Sequence, residues 1–427
     1  MRKTLVALST LGLMAIVVLC PLSAHANADD EALDLKVEGG EERGKVAQRS
    51  LRLFGELAGG RLYQRGGLAS EDVRRASVDF YWEFKPAAQW RGVLSNRLDD
   101  MHPVDAGSRS TLNSLREAYL GWQREDGSLG ADAGRLNLRY GPAYGFNPTD
   151  YFRDGSSRAV TSADPLALRE NRLGTGMLRV QRLWNGGSLS LVVAPKLENA
   201  PSRESFGVDL GATNHANRVL VAASAQAGNK VSLQGFAFHE QGKGLQIGAN
   251  ATALLNDSAI GFFEWSGGRD FDLFSETFDP TANAVTRHRA VAGLTYTTAS
   301  RLAVTFEFEY NGFALSKTEW QRANSALGVE AMGAYQYQVQ KRQDIASRRA
   351  LLLYLSQRDA LIKNLELTGL IRLNADDNSR FAWAEARYHW PRFDVALQWQ
   401  TNLGRATSEY GSLTGKRLVQ LLGVFYF

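Results

Sequence analysis

The fold is decided by stretches such as RFDVALQWQ, residues 392–400, in which every second side chain is apolar. The apolar side chains are Phe393, Val395, Leu397 and Trp399, and those between them are Asp394, Ala396, Gln398 and Gln400. A period of two is that of a β-strand with one apolar face and one more polar face. The stretch therefore predicts a strand that separates an apolar environment from a more polar one.

The same alternation recurs to the end of the chain, for example in residues 76–85 and 302–310. Eighteen candidate strands begin near Ser50, Val73, Ala87, Thr111, Gly130, Leu168, Gly187, Ala216, Lys230, Gly244, Asp257, Thr286, Ser300, Ser347, Lys363, Asn378, Arg392 and Lys416. The sequence therefore predicts an all-β chain of about 18 strands, with 16 as the alternative count.

The connections between these strands alternate in length. Short turns are expected at Lys85-Pro86, Asn185-Gly186, Gly228-Asn229, Asn256-Asp257, Ala299-Ser300 and Pro391, and longer connections at 99–110, 141–167, 198–215, 267–285 and 311–345. The connections near Gln241 and Ala375 are exceptions, because they are short where the alternation predicts long ones.

Outer-membrane barrels have short periplasmic turns and longer outer loops, and closure pairs every backbone amide in lipid. A soluble β-sandwich would also alternate but would not sort its loops. We therefore predict a single closed antiparallel transmembrane β-barrel in a Gram-negative outer membrane.

The aromatic residues agree with this prediction. Those near the short turns are Trp82, Phe84, Trp90, Trp122, Trp184 and Trp390, and those near the long loops are Trp265 and Trp399. Aromatic side chains gather at the two interfaces of a membrane in this way. The chain ends VQLLGVFYF, and a final strand ending in Phe427 resembles the signal that the barrel assembly machinery reads. Outer-membrane lipid and that machinery are the expected partners.

The N-terminus has the features of a secretory signal peptide. Arg2 and Lys3 precede an apolar run over 4–20, and small residues stand at Ala24-His25-Ala26. We expect a signal peptide over 1–26, a short periplasmic segment over 27–48 and the barrel over 49–427.

Composition excludes several kinds of chemistry. Cys20 is the only cysteine, so the chain that remains after signal cleavage has no disulfide, thiolate metal site or cysteine nucleophile. Removal of Arg2 and Lys3 from 49 basic residues leaves 47 against 45 acidic ones, which gives no support for a nucleic-acid partner. No His-Glu-x-x-His or Gly-x-Ser-x-Gly motif occurs. We expect no enzyme activity, no cofactor and no metal. An outer-membrane enzyme and a surface scaffold are the weaker alternatives.

One strand carries an unusual pattern into its loop. GRLNLRYGPAYGFNPTDYFRD, residues 134–154, begins as an alternating strand and becomes rich in glycine and proline. Because an arginine that faces lipid at mid-depth costs about 2–4 kcal/mol, the alternation predicts that Arg135, Asn137 and Arg139 face the lumen. Leu136, Leu138 and Tyr140 would then face lipid. The connection 141–167 is long enough to fold into the barrel and narrow it.

Charged side chains are expected to line the lumen. The candidate pore-lining set is Arg91, Arg116, Glu117, Arg135, Asn137, Arg139, Asp150, Arg153 and Arg179. Further inward arginines are expected at Arg348 and Arg372, and inward acids at Asp79, Glu83, Glu264, Glu307, Glu309, Glu366 and Glu385. One interpretation is that these groups pair across strands and hold the wall together. The other is that a basic wall faces an acidic wall, so that a transverse field acts on a passing anion.

Two segments resemble a known family. LREAYLGWQ (115–123) and GRLNLRYGPAYGFNPTD (134–150) resemble the alginate export family of outer-membrane β-barrels. The matching positions are Arg116, Glu117, Gly134, Arg135, Leu138 and Arg139. The resemblance implies an eighteen-stranded barrel with an arginine-lined pore that exports an acidic polysaccharide. We therefore expect an outer-membrane channel for an anionic solute or polysaccharide such as alginate, with a general or small-solute porin as the alternative.

The connection 311–345 has a helical pattern of its own. Trp320, Ala323, Leu327 and Ala331 have nearly helical spacing. The pattern predicts a short helix that could plug the barrel.

Overall fold

The described part of the computed structural model is an eighteen-stranded antiparallel barrel. The structure describes residues 50–103, 110–158, 161–198, 204–209, 211–279 and 281–427. The first nine strands are β1 (Leu51–Gln64), β2 (Glu71–Ala87), β3 (Trp90–His102), β4 (Thr111–Gln123), β5 (Leu129–Leu136), β6 (Thr175–Trp184), β7 (Gly187–Ala194), β8 (Arg218–Ala227) and β9 (Val231–Glu240). The others are β10 (Gly244–Asn256), β11 (Ala259–Asp270), β12 (Val285–Thr297), β13 (Leu302–Asn311), β14 (Arg349–Gln357), β15 (Leu365–Asn374), β16 (Arg380–His389), β17 (Phe393–Leu403) and β18 (Gly415–Tyr426). The predicted all-β class and strand number are confirmed.

Each strand pairs with its neighbours in sequence, and β1 pairs with β18 to close the barrel, with Phe54 opposite Tyr426. Closure leaves no sheet edge, so the backbone amides of the wall are paired within the sheet. The predicted signal peptide (1–26) and periplasmic segment (27–48) lie outside the described residues.

The wall has the predicted alternation of faces. On β2, Val78 and Trp82 are 52% and 41% exposed on the outside, whereas Ser77 and Asp79 are buried inside. On β13, the inward Glu307 and Glu309 are fully buried. Outward apolar residues suit lipid and inward polar residues suit an aqueous lumen.

The two ends of the barrel differ. At the turn end the connections are 88–89, 124–128, 185–186, 228–230, 257–258, 298–301, 358–364 and 390–392. At the loop end they are 65–70, 103–110, 137–174, 195–217, 241–243, 271–284, 312–348, 375–379 and 404–414. By the usual arrangement of outer-membrane barrels, the turn end faces the periplasm.

The described loops contain three helices, all at the loop end: α1 (Pro165–Glu170), α2 (Leu273–Phe278) and α3 (Lys317–Arg342). The prediction of a helix around Trp320 is confirmed. In the described ranges, no helix combines the length and apolar character that crossing a bilayer requires.

The predicted start of the sixth strand, at Leu168, is wrong. Residues 165–170 form α1, and β6 begins only at Thr175. Asp164 accepts a hydrogen bond from the Leu166 backbone N–H, and Pro165 occupies the first turn. An aspartate cap followed by proline is a signal for the start of a helix, and a search for alternating residues does not detect it.

Candidate functional site

The connection between β5 and β6, residues 137–174, crosses the lumen; we call it the inserted loop. Its first contacts with the opposite wall are made by backbone amides. The Ala143 N–H donates to Glu264 Oε1 of β11 at 2.7 Å. The N–H groups of Tyr144 and Gly145 donate to the two oxygens of Glu307 on β13, at 2.6 and 2.9 Å. The length of this connection allowed it to fold into the barrel, and these contacts show that it does.

Side chains of the inserted loop strengthen the same attachment. Asn147 Nδ2 donates to Glu264 Oε1 at 3.1 Å, and Thr149 Oγ1 donates to Glu264 Oε2 at 3.1 Å. The approach is close enough to require glycine at Gly141, which has φ +96° and where an added Cβ would lie 2.4 Å from Glu264. Buried carboxylates on β11 and β13 therefore act as anchors for the loop. The alternation predicts that these acids face inward, but no sequence pattern indicates that they bind a loop.

An apolar cluster fixes the other side of the inserted loop. Tyr140 packs edge-on against Phe236 of β9 with ring centres 5.0 Å apart, and Tyr151 stacks on Phe238 at 4.6 Å. Leu136 and Leu138 are buried in the same cluster. The prediction that Leu136, Leu138 and Tyr140 face lipid is therefore wrong.

The predicted orientation of Arg135 is also wrong. Ala133 lies opposite Leu120 on β4 and Leu178 on β6, which are 48% and 49% exposed on the outer surface. Directly opposed residues share a face of the sheet, and so do residues two apart along a strand. Arg135 therefore lies on the outer face of β5, near the loop end.

Arg135 is nevertheless only 2% exposed. Its Nε donates to the Gly174 carbonyl at 2.9 Å, and one terminal nitrogen donates to the Val208 carbonyl at 3.1 Å. Segment 204–209 covers Arg135. Beyond the end of β5 this segment lies beside β4, where the Asn113 N–H donates to the Ser205 carbonyl. Arg135 therefore stabilises the rim of the wall.

Arg116 belongs to a buried ion-pair network on the inner face of β1–β4, which we call the β1–β4 network. It consists of Glu56, Arg75, Asp79, Arg97, Asp99 and Arg116. Two nitrogens of Arg116 contact the two oxygens of Asp79 at 2.5 and 2.8 Å. Arg97 contacts Asp79, Asp99 and Glu56 at 3.4, 2.9 and 2.9 Å. These arginines are compensated by carboxylates of the same wall.

The next pair of predicted arginines shares one carboxylate. Arg179 contacts Asp132 Oδ2 at 2.8 Å, and Arg91 lies 3.9 Å from Asp132 Oδ1. Arg91 also lies over the Tyr119 ring, 5.6 Å from its centre. The basic side of the lumen is therefore a set of cross-strand ion pairs.

On the acidic side, Arg372 contacts Glu309 at 3.0 Å. Arg348 does not line the wall. It lies in the connection 312–348, where it contacts Glu319 at 3.0 Å. The cross-strand interpretation fits these contacts better than two uncompensated walls of opposite charge.

The polar residues at the start of the inserted loop lie near one another. The Asn137 N–H donates to Glu117 Oε1 at 3.3 Å, and Asn137 Nδ2 donates to the Arg169 carbonyl at 3.0 Å. Arg139 is half-buried and lies near Glu117 and Arg172. Among the described residues Arg139 makes neither a hydrogen bond nor an ion pair within contact distance. Of the nine predicted site residues, it alone keeps an unpaired charge by this criterion.

Asp150 and Arg153 hold the inserted loop in place. Arg172 donates to Asp150 at 2.7 Å, and Arg153 contacts Asp344 of the connection 312–348 at 2.9 Å. Burial lowers the pKa of the Arg153 guanidinium. Arg172 is absent from the predicted site because the alternation predicts a strand from Leu168, whereas Arg172 lies between α1 and β6.

A second charged cluster joins three connections and the end of β11 at the loop end. Lys243 contacts Asp154 at 3.2 Å, and Arg342 contacts Asp270 at 2.5 Å. Burial alone would raise the pKa of Asp154, but Lys243 and Arg342 hold it well below its usual range. This part of the inserted loop is therefore tied to the end of α3.

Helix α3 lies across the loop end and rests on segment 404–414. Trp320 Nε1 donates to the Thr407 carbonyl at 2.9 Å, and Gln336 Nε2 donates to the Glu409 carbonyl at 2.8 Å. Gly328, with φ +79°, interrupts the helix between these contacts. In the described ranges, no three His, Cys, Asp or Glu side chains converge to hold a metal ion.

The stability of segment 404–414, on which α3 rests, is expected to depend on pH. Burial raises the pKa of Glu409 to about 7, with Asp377 adding to the effect. A carboxyl with a raised pKa stabilises its segment fully below its ordinary pKa and loses that contribution as pH rises toward the raised value. We expect amide hydrogen exchange in 404–414, corrected for intrinsic rates, to be slower at pH 5 than at pH 8.

Glu409→Gln should reduce this difference, because a neutral amide does not titrate. Glu330→Gln, at an exposed carboxyl of α3, is the matched control and should leave it unchanged. If the pH dependence in Glu409→Gln equalled that of the parent, Glu409 would not be its source.

Comparison with known proteins gives likeness of fold only. No protein-family model and no curated protein sequence matches the chain. OccAB1 of Acinetobacter baumannii superposes with a TM-score of 0.55 at 10% identity, over 92% of this chain and 99% of that one. OccK11 (OpdR) of Pseudomonas aeruginosa gives 0.52 at 9% identity, over 88% and 96%. The outer membrane protein opdK of the same organism gives 0.52 at 8% identity, over 88% and 98%.

The closed barrel and its apolar outer surface are those of a protein that spans an outer membrane. The resemblance to the alginate export family gains no support from the comparisons. The chain is an eighteen-stranded β-barrel of the outer membrane, and its fold is that of solved outer-membrane proteins.

Proposed function

We propose that this protein is a porin-type channel for small hydrophilic solutes, with a preference for anions. The observation that carries the proposal is the inserted loop, which leaves the wall at β5 and is bound on the far side by Glu264 and Glu307. A segment held at both sides of the lumen narrows the passage, so small solutes fit better than a bulky polymer. The unpaired charge of Arg139 favours anions.

Arg139→Glu should move the reversal potential under a salt gradient toward cation selectivity. The change should be larger at low salt, because salt screens the field of a solvent-accessible charge. Planar-bilayer recording of the parent and the variant measures it. Lys230→Glu, an equal charge change at the turn end, is the control and should have a smaller effect. An unchanged reversal potential in a folded Arg139→Glu channel would remove the basis for anion preference.

Export of an acidic polysaccharide such as alginate is the second candidate, supported by the motif resemblance around Arg116 and Arg135. Against it, Arg116 is engaged by Asp79 and Arg135 lies beneath segment 204–209. Liposomes that contain the protein distinguish the candidates. A small-solute channel should pass glutamate and exclude an acidic oligosaccharide, whereas an exporter should pass both.

A further inference from the structure

A cavity of about 600 Å³ lies between α2 and the first half of α3, at the loop end of the barrel. Its lining is largely apolar and includes Phe274, Phe278, Leu315, Ala323 and Leu327. The rings of Phe274 and Phe278 lie 4.8 Å apart, and Phe278 and Leu327 are 38% and 48% exposed. A concave apolar site of this size is within the range that binds small molecules.

The helix break explains why this cavity is left open. Gly328 has φ +79° and ψ −178°, so the first helical segment ends beside Leu327. Beyond the break, Met332 and Tyr335 are buried in a cluster with Trp320. The later half of α3 therefore packs beneath the cavity, and Leu327 remains exposed in it.

The rim of the cavity carries one more positive charge than negative charge. Arg287 donates to Asp272 at 2.8 and 3.2 Å. Arg348 donates to Glu319 at 3.0 Å. The third cation, Arg322, has neither an ion pair nor a hydrogen bond with any residue that the structure describes. A ligand with a single negative charge would complement it.

We infer that this cavity binds an amphipathic monoanion, with a single hydrocarbon chain between Phe278 and Leu327 and its anionic group at Arg322. The small side chains of Ala323 and Ala326 leave a trough along the helix in which a flexible chain fits. One aromatic ring would leave much of the volume empty. The inference does not depend on the proposed transport function.

The test uses decanoate and the whole protein in lipid nanodiscs, with binding to protein-free nanodiscs subtracted. We expect saturable binding of about one decanoate per barrel. Arg322→Glu should weaken it by about tenfold or more, because a nearby attraction becomes a repulsion. Lys317→Glu is the matched control, since it makes the same charge change on α3 outside the cavity lining. Ala326→Trp should fill the trough and abolish binding.

Three results would overturn the inference. They are the absence of saturable binding, equal weakening by Arg322→Glu and Lys317→Glu, and binding of decanol as tight as that of decanoate. Binding of benzoate as tight as that of decanoate would overturn the assignment of a hydrocarbon chain.

Single-channel conductance of the same variants is measured separately. A folded barrel that conducts nothing but binds decanoate would contradict the proposed function and leave this inference intact.

Discussion

Replacement of Glu264 and Glu307 together by alanine is expected to release the inserted loop from the far wall and to raise single-channel conductance severalfold. The two carboxylates accept hydrogen bonds from three consecutive backbone N–H groups and two side chains of the loop. A buried donor that loses its acceptor costs about 1–3 kcal/mol. Residues 143–149 therefore lose their polar attachment to β11 and β13, while Arg153 and Asp154 still tie the later part of the loop to the loop end.

Planar-bilayer recording should detect this release as a larger and noisier conductance. Liposome swelling should also admit larger sugars than the parent barrel does. Glu366→Ala is the matched control, because Glu366 is an inward carboxylate that contacts His389 and not the inserted loop. A double variant that folds and conducts like the parent would show that the remaining contacts, including those with Phe236 and Phe238, suffice to hold the loop across the lumen.

The strands of the barrel wall could be predicted from sequence because the pattern that identifies each strand lies within that strand. A period of two recurs along strands of 8 to 17 residues, as in β17, where Leu397 faces out and Gln398 faces in. Lipid outside and polar groups inside impose this pattern strand by strand. The predicted sixth strand starts too early because the Asp164-Pro165 cap begins a helix there.

The lumen was harder to predict because its contacts join distant parts of the chain. The inward orientation of Glu264 followed from alternation, but its binding to the Ala143 N–H, 121 residues away, follows from no local pattern. The prediction places Arg135 on the wrong face because it assigns the apolar Leu136 to lipid, whereas Leu136 packs inside the barrel and Arg135 is covered by segment 204–209. Leu138 and Tyr140 belong to the buried cluster that contains Phe236, inside the barrel. The assumption that every apolar residue of an alternating stretch faces lipid therefore gives the wrong location for them.

The β1–β4 network leads to the second large expected effect. Asp79→Ala should lower the free energy of unfolding by about 3–5 kcal/mol, since removal of one partner leaves buried charges uncompensated. Asp79 is 3% exposed and is contacted by both Arg97 and Arg116, which are themselves buried. Urea unfolding of the barrel in lipid vesicles, followed by tryptophan fluorescence, measures the change.

Two further variants separate this explanation from a general sensitivity to charge. Asp72→Ala removes a pair with Arg61 that is 4.0 Å long and mostly exposed, so it should cost about 1 kcal/mol or less. Asp79→Leu with Arg116→Met replaces one buried pair by apolar side chains and should recover part of the stability. The matching motif residue Arg116 would then be a wall residue. If Asp79→Ala instead left stability unchanged and altered anion selectivity, Arg116 would be free to meet the solute, and the polysaccharide hypothesis would regain its main residue.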